Sequence, residues 1–141
     1  MENYSYRMMT RKSPKEIFEL LLDVEQWWSG IYEETITGES QKENDTFSFS
    51  AGGGMHYSRQ KLITLIPNKK IAWEVLESNL SFLEDPKEWE HTKLIFDIHE
   101  TAQNETQIVF THEGLKPQIE CYDQCTNAWT KYLQNLEKKL N

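Results

Sequence analysis

The stretch running from Ile119 to Leu140, IECYDQCTNAWTKYLQNLEKKL, places Ile119, Tyr122, Cys125, Trp129, Tyr132, Leu133, Leu136 and Leu140 at helical spacing. Apolar side chains three or four positions apart lie on one side of a helix, so the pattern predicts one long amphipathic helix at the end of the chain. Such a helix has to bury its apolar stripe, and almost everything before it reads as strand.

Working back from that helix, Gly114-Leu115-Lys116-Pro117 is a break. The runs HTKLIFDIHE and ETQIVFTHEG before it pair naturally across Thr101-Ala102-Gln103-Asn104. Leu94, Phe96 and Ile98 fall on one face of the first run, and Ile108, Phe110 and His112 on one face of the second, the two-residue period of a half-buried sheet. HYSRQKLITLIP and IAWEVLES make a second pair around the turn Pro67-Asn68-Lys69-Lys70. IYEETITG and TFSFSAGGG are two shorter runs, each ending in glycine. Leu62, Ile63, Leu65 and Ile66 put apolar groups on both faces of their strand, as a bulge or a dimer surface would.

At the front, Tyr4, Tyr6 and Met8 alternate with Ser5, Arg7 and Met9, again a strand. Ser13-Pro14-Lys15-Glu16 then combines an N-cap, a proline at the first helical position and a glutamate three residues after the cap, so a helix should begin there. Ile17, Leu20, Leu21 and Val24 share its buried face, and the pattern runs on through Trp27 and Trp28 to Gly30. The whole reads as a single α+β domain over residues 1–141: a strand, a short helical segment, an antiparallel meander and a long closing helix.

With 15 Lys and Arg against 23 Asp and Glu, the formal net charge is −8, which repels a nucleic-acid backbone and an anionic membrane surface alike. No apolar run approaches the ~20 residues of a membrane span, and MENYSYRMMTRKS lacks a signal-peptide apolar region. A cytoplasmic protein with neither a nucleic-acid partner nor membrane insertion is expected, and with two cysteines no disulfide framework.

Cys121 and Cys125 are four apart, about one helical turn, yet a zinc site needs two more ligands and the chain has no second cysteine pair and no His-x-x-x-His. A redox pair favours two intervening residues at a helix start. Cys125 is read as a small buried hydrophobe between Tyr122 and Trp129. Ala51-Gly52-Gly53-Gly54 lacks the lysine and following helix of a phosphate loop, so it reads as a mobile hairpin able to gate a cavity. His56, His91, His99 and His112 show no metal spacing, and His112 stands out because it follows Ile108 and Phe110 on the inner face. Trp89, amid Glu84-Asp85-Pro86-Lys87-Glu88-Trp89-Glu90, is read as a loop residue, a partner contact or a lid. No catalytic motif, cofactor or metal is expected.

The order YDQCTNAWTKYLQNL preceded by FTHEGL, together with SPKEIFELL and its following tryptophans, resembles the START-like and birch-pollen-allergen-like superfamily. Within it the chain resembles the family named for the activator of the heat-shock protein 90 ATPase, over about Tyr6 to Leu140. The resemblance implies a helix-grip fold, in which an antiparallel sheet wraps a long C-terminal helix and encloses a cavity. It also implies an apolar or aromatic small-molecule ligand, lipid-like ones included. Trp27, Phe47, Phe49, Tyr57, Trp73, Phe96, Phe110, His112, Cys125 and Trp129 are the candidate lining residues. Two other roles follow from the resemblance: a chaperone-linked protein interaction, and a cyclase or aromatase reaction in the same cavity, with His112 and Tyr57 as first suspects.

Overall fold

In a computed structural model, residues 3–29, 31–81, 84, 86–102, 104–115 and 122–141 are described. Strand β1 (Tyr4–Thr10) leads into α1 (Pro14–Leu22). The predicted start of α1 is made by a reciprocal capping box: the Ser13 hydroxyl accepts from the Glu16 backbone N–H, and the Glu16 carboxylate accepts from the Ser13 N–H. The helix does not run on to Trp28. It breaks at Asp23, and α2 (Val24–Trp27) follows as a separate turn, so that Trp27 and Trp28 both enter the core. Ile17, Phe18, Leu21 and Leu22 are the buried residues of α1, while Leu20 is only half-buried.

The strands β2 (Thr35–Gly38), β3 (Thr46–Ala51), β4 (His56–Ile66), β5 (Lys70–Leu80), β6 (Lys93–Ala102) and β7 (Glu105–Glu113) form an antiparallel meander. β1 adds to the free edge of β7, giving the order β1-β7-β6-β5-β4-β3-β2 in a seven-stranded sheet. The inner faces follow the expected alternation: Leu94, Phe96 and Ile98 on β6 and Ile108, Phe110 and His112 on β7 are all buried. The two-faced run on β4 is a bulge. Its register against β5 slips between Leu62 and Thr64, and again between Arg59 and Gln60.

Helix α3 (Tyr122–Leu140) closes the concave side, burying Cys125, Trp129, Tyr132, Leu133, Leu136 and Leu140. β1 ties it down along its length, with Tyr4 Oη 2.9 Å from Thr130 Oγ1, Tyr6 Oη donating to Glu137 and Thr10 Oγ1 donating to the Leu140 carbonyl. Ile119 and Cys121 of the predicted helix lie outside the described residues. This is an α+β helix-grip fold.

Candidate functional site

The space between sheet and helix is filled unevenly. Trp27, Phe47, Trp73, Phe96 and Phe110 pack ring against ring, for example Trp27 on Phe96 at 5.2 Å and Phe96 on Phe110 at 5.0 Å between centroids. The indole N–H groups of this cluster are satisfied, Trp27 by the Leu21 carbonyl and Trp73 by Ser40 Oγ. That half is solid core.

Toward the N-terminal end of α3 the packing opens into a cavity of about 290 Å³. Its wall comes from Trp28, from Phe49 and Ala51 on β3, from Gly52 and Met55 in the hairpin, from His56 at the start of β4, and from Trp89. Gln124, Cys125, Ala128, Trp129 and Tyr132, one face of α3, form the roof, and Tyr32 stands at the rim. The half-open mouth lies beside exposed Tyr32 and Met55. Trp28 anchors the aromatic wall, stacking on Phe49 at 4.2 Å and on Trp129 at 5.0 Å. A wider hollow of about 1120 Å³ near the C-terminal end of α3 has polar and charged walls, including Arg11, Lys12, Glu16 and Glu105, and is surface relief.

Of the residues the sequence singled out, Phe49, Cys125 and Trp129 line this cavity. Trp27, Phe47, Trp73, Phe96, Phe110 and His112 are buried behind it. Tyr57, half-exposed, points to the other face of β4 from His56. Cys125 is buried as expected, but it is disulfide-bonded, which corrects the expectation of no disulfide. Trp89 is neither an exposed contact nor a solvated loop residue: it is 2% exposed, stacked parallel to Trp129 at 5.9 Å. The segment around it covers the part of β5 that β6 does not pair. The Thr92 carbonyl accepts from Val75 N–H, the Val75 carbonyl from His91 N–H and the Pro86 carbonyl from Leu80 N–H. No charge pattern in the sequence announces that docking.

His112 and His56 flank Trp89, each with its ring 4.7 Å away and edge-on. His112 is fully engaged. Trp129 Nε1–H donates to its Nδ1 at 3.0 Å, which leaves the proton on Nε2 to bond Thr92 Oγ1 at 2.9 Å, and Thr92 in turn donates to the Trp89 carbonyl. Burial, and secondarily the charge His56 would carry, pushes its pKa down to about 3. It is a neutral structural ring with no nitrogen left to act as a base, which corrects its reading as the first catalytic suspect. His56 differs: its Nε2 is buried without a partner, and burial lowers its pKa to about 4. Counting back by twos from buried Leu62 reaches Gln60, Ser58 and His56, so alternation could have found it. The apolar residues on both faces around Leu62 hid that register.

At the rim, Tyr132 donates to the Glu34 carboxylate, which also accepts from the Ile31 and Tyr32 backbone N–H groups. Burial opposes ionisation of Glu34, yet these hydrogen bonds outweigh it and hold its pKa below the ordinary value, while burial and the same carboxylate push Tyr132 up. Among the described residues no three His, Cys, Asp or Glu side chains converge on a metal position, and no helix is long and apolar enough to cross a membrane.

A family model described as Activator of Hsp90 ATPase homolog 1-like protein matches residues 11–141. The chain belongs to that family. Among solved structures it is similar to the Aha1 dimer from Colwellia psychrerythraea, at 26% identity and a TM-score of 0.75, covering 99% of this chain and 96% of the other. An HSP90 activator from Plasmodium falciparum matches at 15% identity and TM-score 0.67, over 99% and 96% of the two chains. Ginseng major latex-like protein 151 from Panax ginseng matches at 10% identity and TM-score 0.68, over 99% and 97%. The last two likenesses are of fold alone. No curated protein matches the chain in sequence. Membership explains why the aromatic and leucine positions of α3 are legible as a pattern: they grip the sheet, and the cavity is what the grip leaves open.

Proposed function

We propose that this family member is a single-domain cytoplasmic binding protein that takes a small apolar or aromatic molecule into the cavity beneath α3. The observation that carries the reading is the cavity itself, about 290 Å³ walled by Trp28, Phe49, Trp89, Trp129 and Tyr132. Such a space suits an aromatic guest because rings on several sides offer stacked and edge-on contacts at once. A two-ring ligand burying roughly 200 Å² of apolar surface gains about 5 kcal/mol, a Kd on the order of 10⁻⁴ M before any polar contact. Affinity therefore depends on whether one well-placed hydrogen bond is added.

The family match and the 26% identity with an Aha1 dimer favour a second reading, contact with a chaperone or another protein partner. One preparation separates the two. Native mass spectrometry of protein purified from its own host should find a retained small molecule that is lost in Trp129→Ala, and the ATPase rate of the host's chaperone should be unchanged by the protein. A protein with no adduct that accelerates the ATPase would reverse the order of the readings.

A further inference from the structure

Among the described polar side chains of the cavity wall, most are already engaged or lie at the mouth. Tyr132 donates to Glu34, the Tyr32 hydroxyl accepts from Lys131 Nζ at 3.0 Å, and Gln124 is exposed. His56 is the exception: its ring forms part of the wall, and its Nε2 is buried with no partner. A buried imidazole nitrogen without a hydrogen bond is costly, so its place invites a group that completes it. The ring makes edge-on contacts with Phe49 at 5.4 Å and Trp89 at 4.7 Å, and its Nε2 has a hydrogen bond still to make. His112, across Trp89, is locked by hydrogen bonds on both nitrogens and cannot do this.

We infer that His56 is the specificity-determining polar anchor of the cavity, and that the ligand class is a neutral aromatic molecule bearing a hydroxyl group that hydrogen-bonds the His56 ring. This rests on the binding-protein reading above and sharpens it. A hydroxyl suits either neutral tautomer, donating to a bare nitrogen or accepting from an N–H. A carboxylate is disfavoured, because it would be desolvated among rings inside a chain of net charge −8. The half-buried ring is itself neutral, its pKa lowered to about 4 by desolvation, and offers such an anion no charge near pH 7. Ser58 and Gln60 continue the polar row along β4, but neither lines the cavity.

The test compares 2-naphthol, naphthalene and 2-naphthoate by calorimetric or NMR titration on the wild-type protein, His56→Phe and His56→Gln. The wild type should bind 2-naphthol about tenfold more tightly than naphthalene, and 2-naphthoate most weakly. In His56→Phe the gap between 2-naphthol and naphthalene should close to less than about twofold, while His56→Gln, which keeps a donor and an acceptor, should retain part of it. In ¹⁵N-histidine-labelled wild-type protein, the His56 ring nitrogens should shift with 2-naphthol and not with naphthalene, and those of His112 with neither. That reading needs no variant to fold. A gap that survives in His56→Phe, His56 nitrogens unmoved by bound 2-naphthol, or 2-naphthoate as the tightest guest would each overturn the anchor while leaving a container. Failure of the wild type to bind any of the three would overturn the container reading and the anchor with it.

Discussion

His56 and His112 are both neutral rings against Trp89, but they do different work because only one has its hydrogen bonds complete. Their folded pKa values, about 4 and about 3, lie below the ordinary 6.5. Between those values the unfolded chain binds more protons than the folded one, so stability is fully present above about pH 6.5 and falls as the pH falls. Each ring should cost about 2 kcal/mol between pH 7 and pH 5. Glu34, with its pKa held below the ordinary carboxylate value, adds to acid sensitivity only at lower pH. Urea denaturation at pH 7, 6 and 5 should therefore show a falling midpoint. His112→Phe should be less stable at pH 7, because Trp129 Nε1–H loses its acceptor, and flatter with pH. A midpoint unchanged from pH 7 to 5 would mean the histidines are solvated in the folded protein.

At the scale of elements, what was legible in the sequence was what repeats locally. The capping box of α1, the alternation of β6 and β7 and the stripe of α3 each declare themselves within a few residues. The cavity wall was less legible, since Trp28, His56 and Trp89 reach it through long-range packing that has no period. The bulges of β4 shift register partway along the strand, and the docking of the segment before β6 follows from unpaired groups on β5 that exist only once the sheet forms. Gly38 is a local exception with a physical reason. It ends β2 at φ +118°, and a Cβ there would lie 2.5 Å from the Thr46 carbonyl oxygen and 2.8 Å from Phe47 Cα, both fixed backbone. Gly53, in the hairpin beside the cavity, also has positive φ, at +68°, but open space around it. Gly38→Ala should thus lose more than about 2 kcal/mol in thermal denaturation, and Gly53→Ala only about 1. Equal losses would show that the contact at Gly38 relaxes freely.

Over the whole molecule, the grip divides the interior in two. The half holding Trp27, Trp73, Phe96 and Phe110 is close-packed and stabilises the fold, and the half under the first turns of α3 stays open beside Trp129 and the Trp28 and Trp89 rings stacked on it. A site that stays open in a folded domain has either a guest or a cost, and the unpaired His56 nitrogen argues for the guest. The most direct measurement is a ¹H–¹⁵N correlation spectrum of the labelled protein titrated with 2-naphthol. The account predicts saturable shifts at the Trp28, Trp89 and Trp129 indoles and at the backbone of Gly52, Met55, His56 and Ala128, with Lys12, Ala102 and Leu140 unmoved. Shifts centred on Lys12, Glu105 and Leu140, or none at saturating concentration, would contradict it.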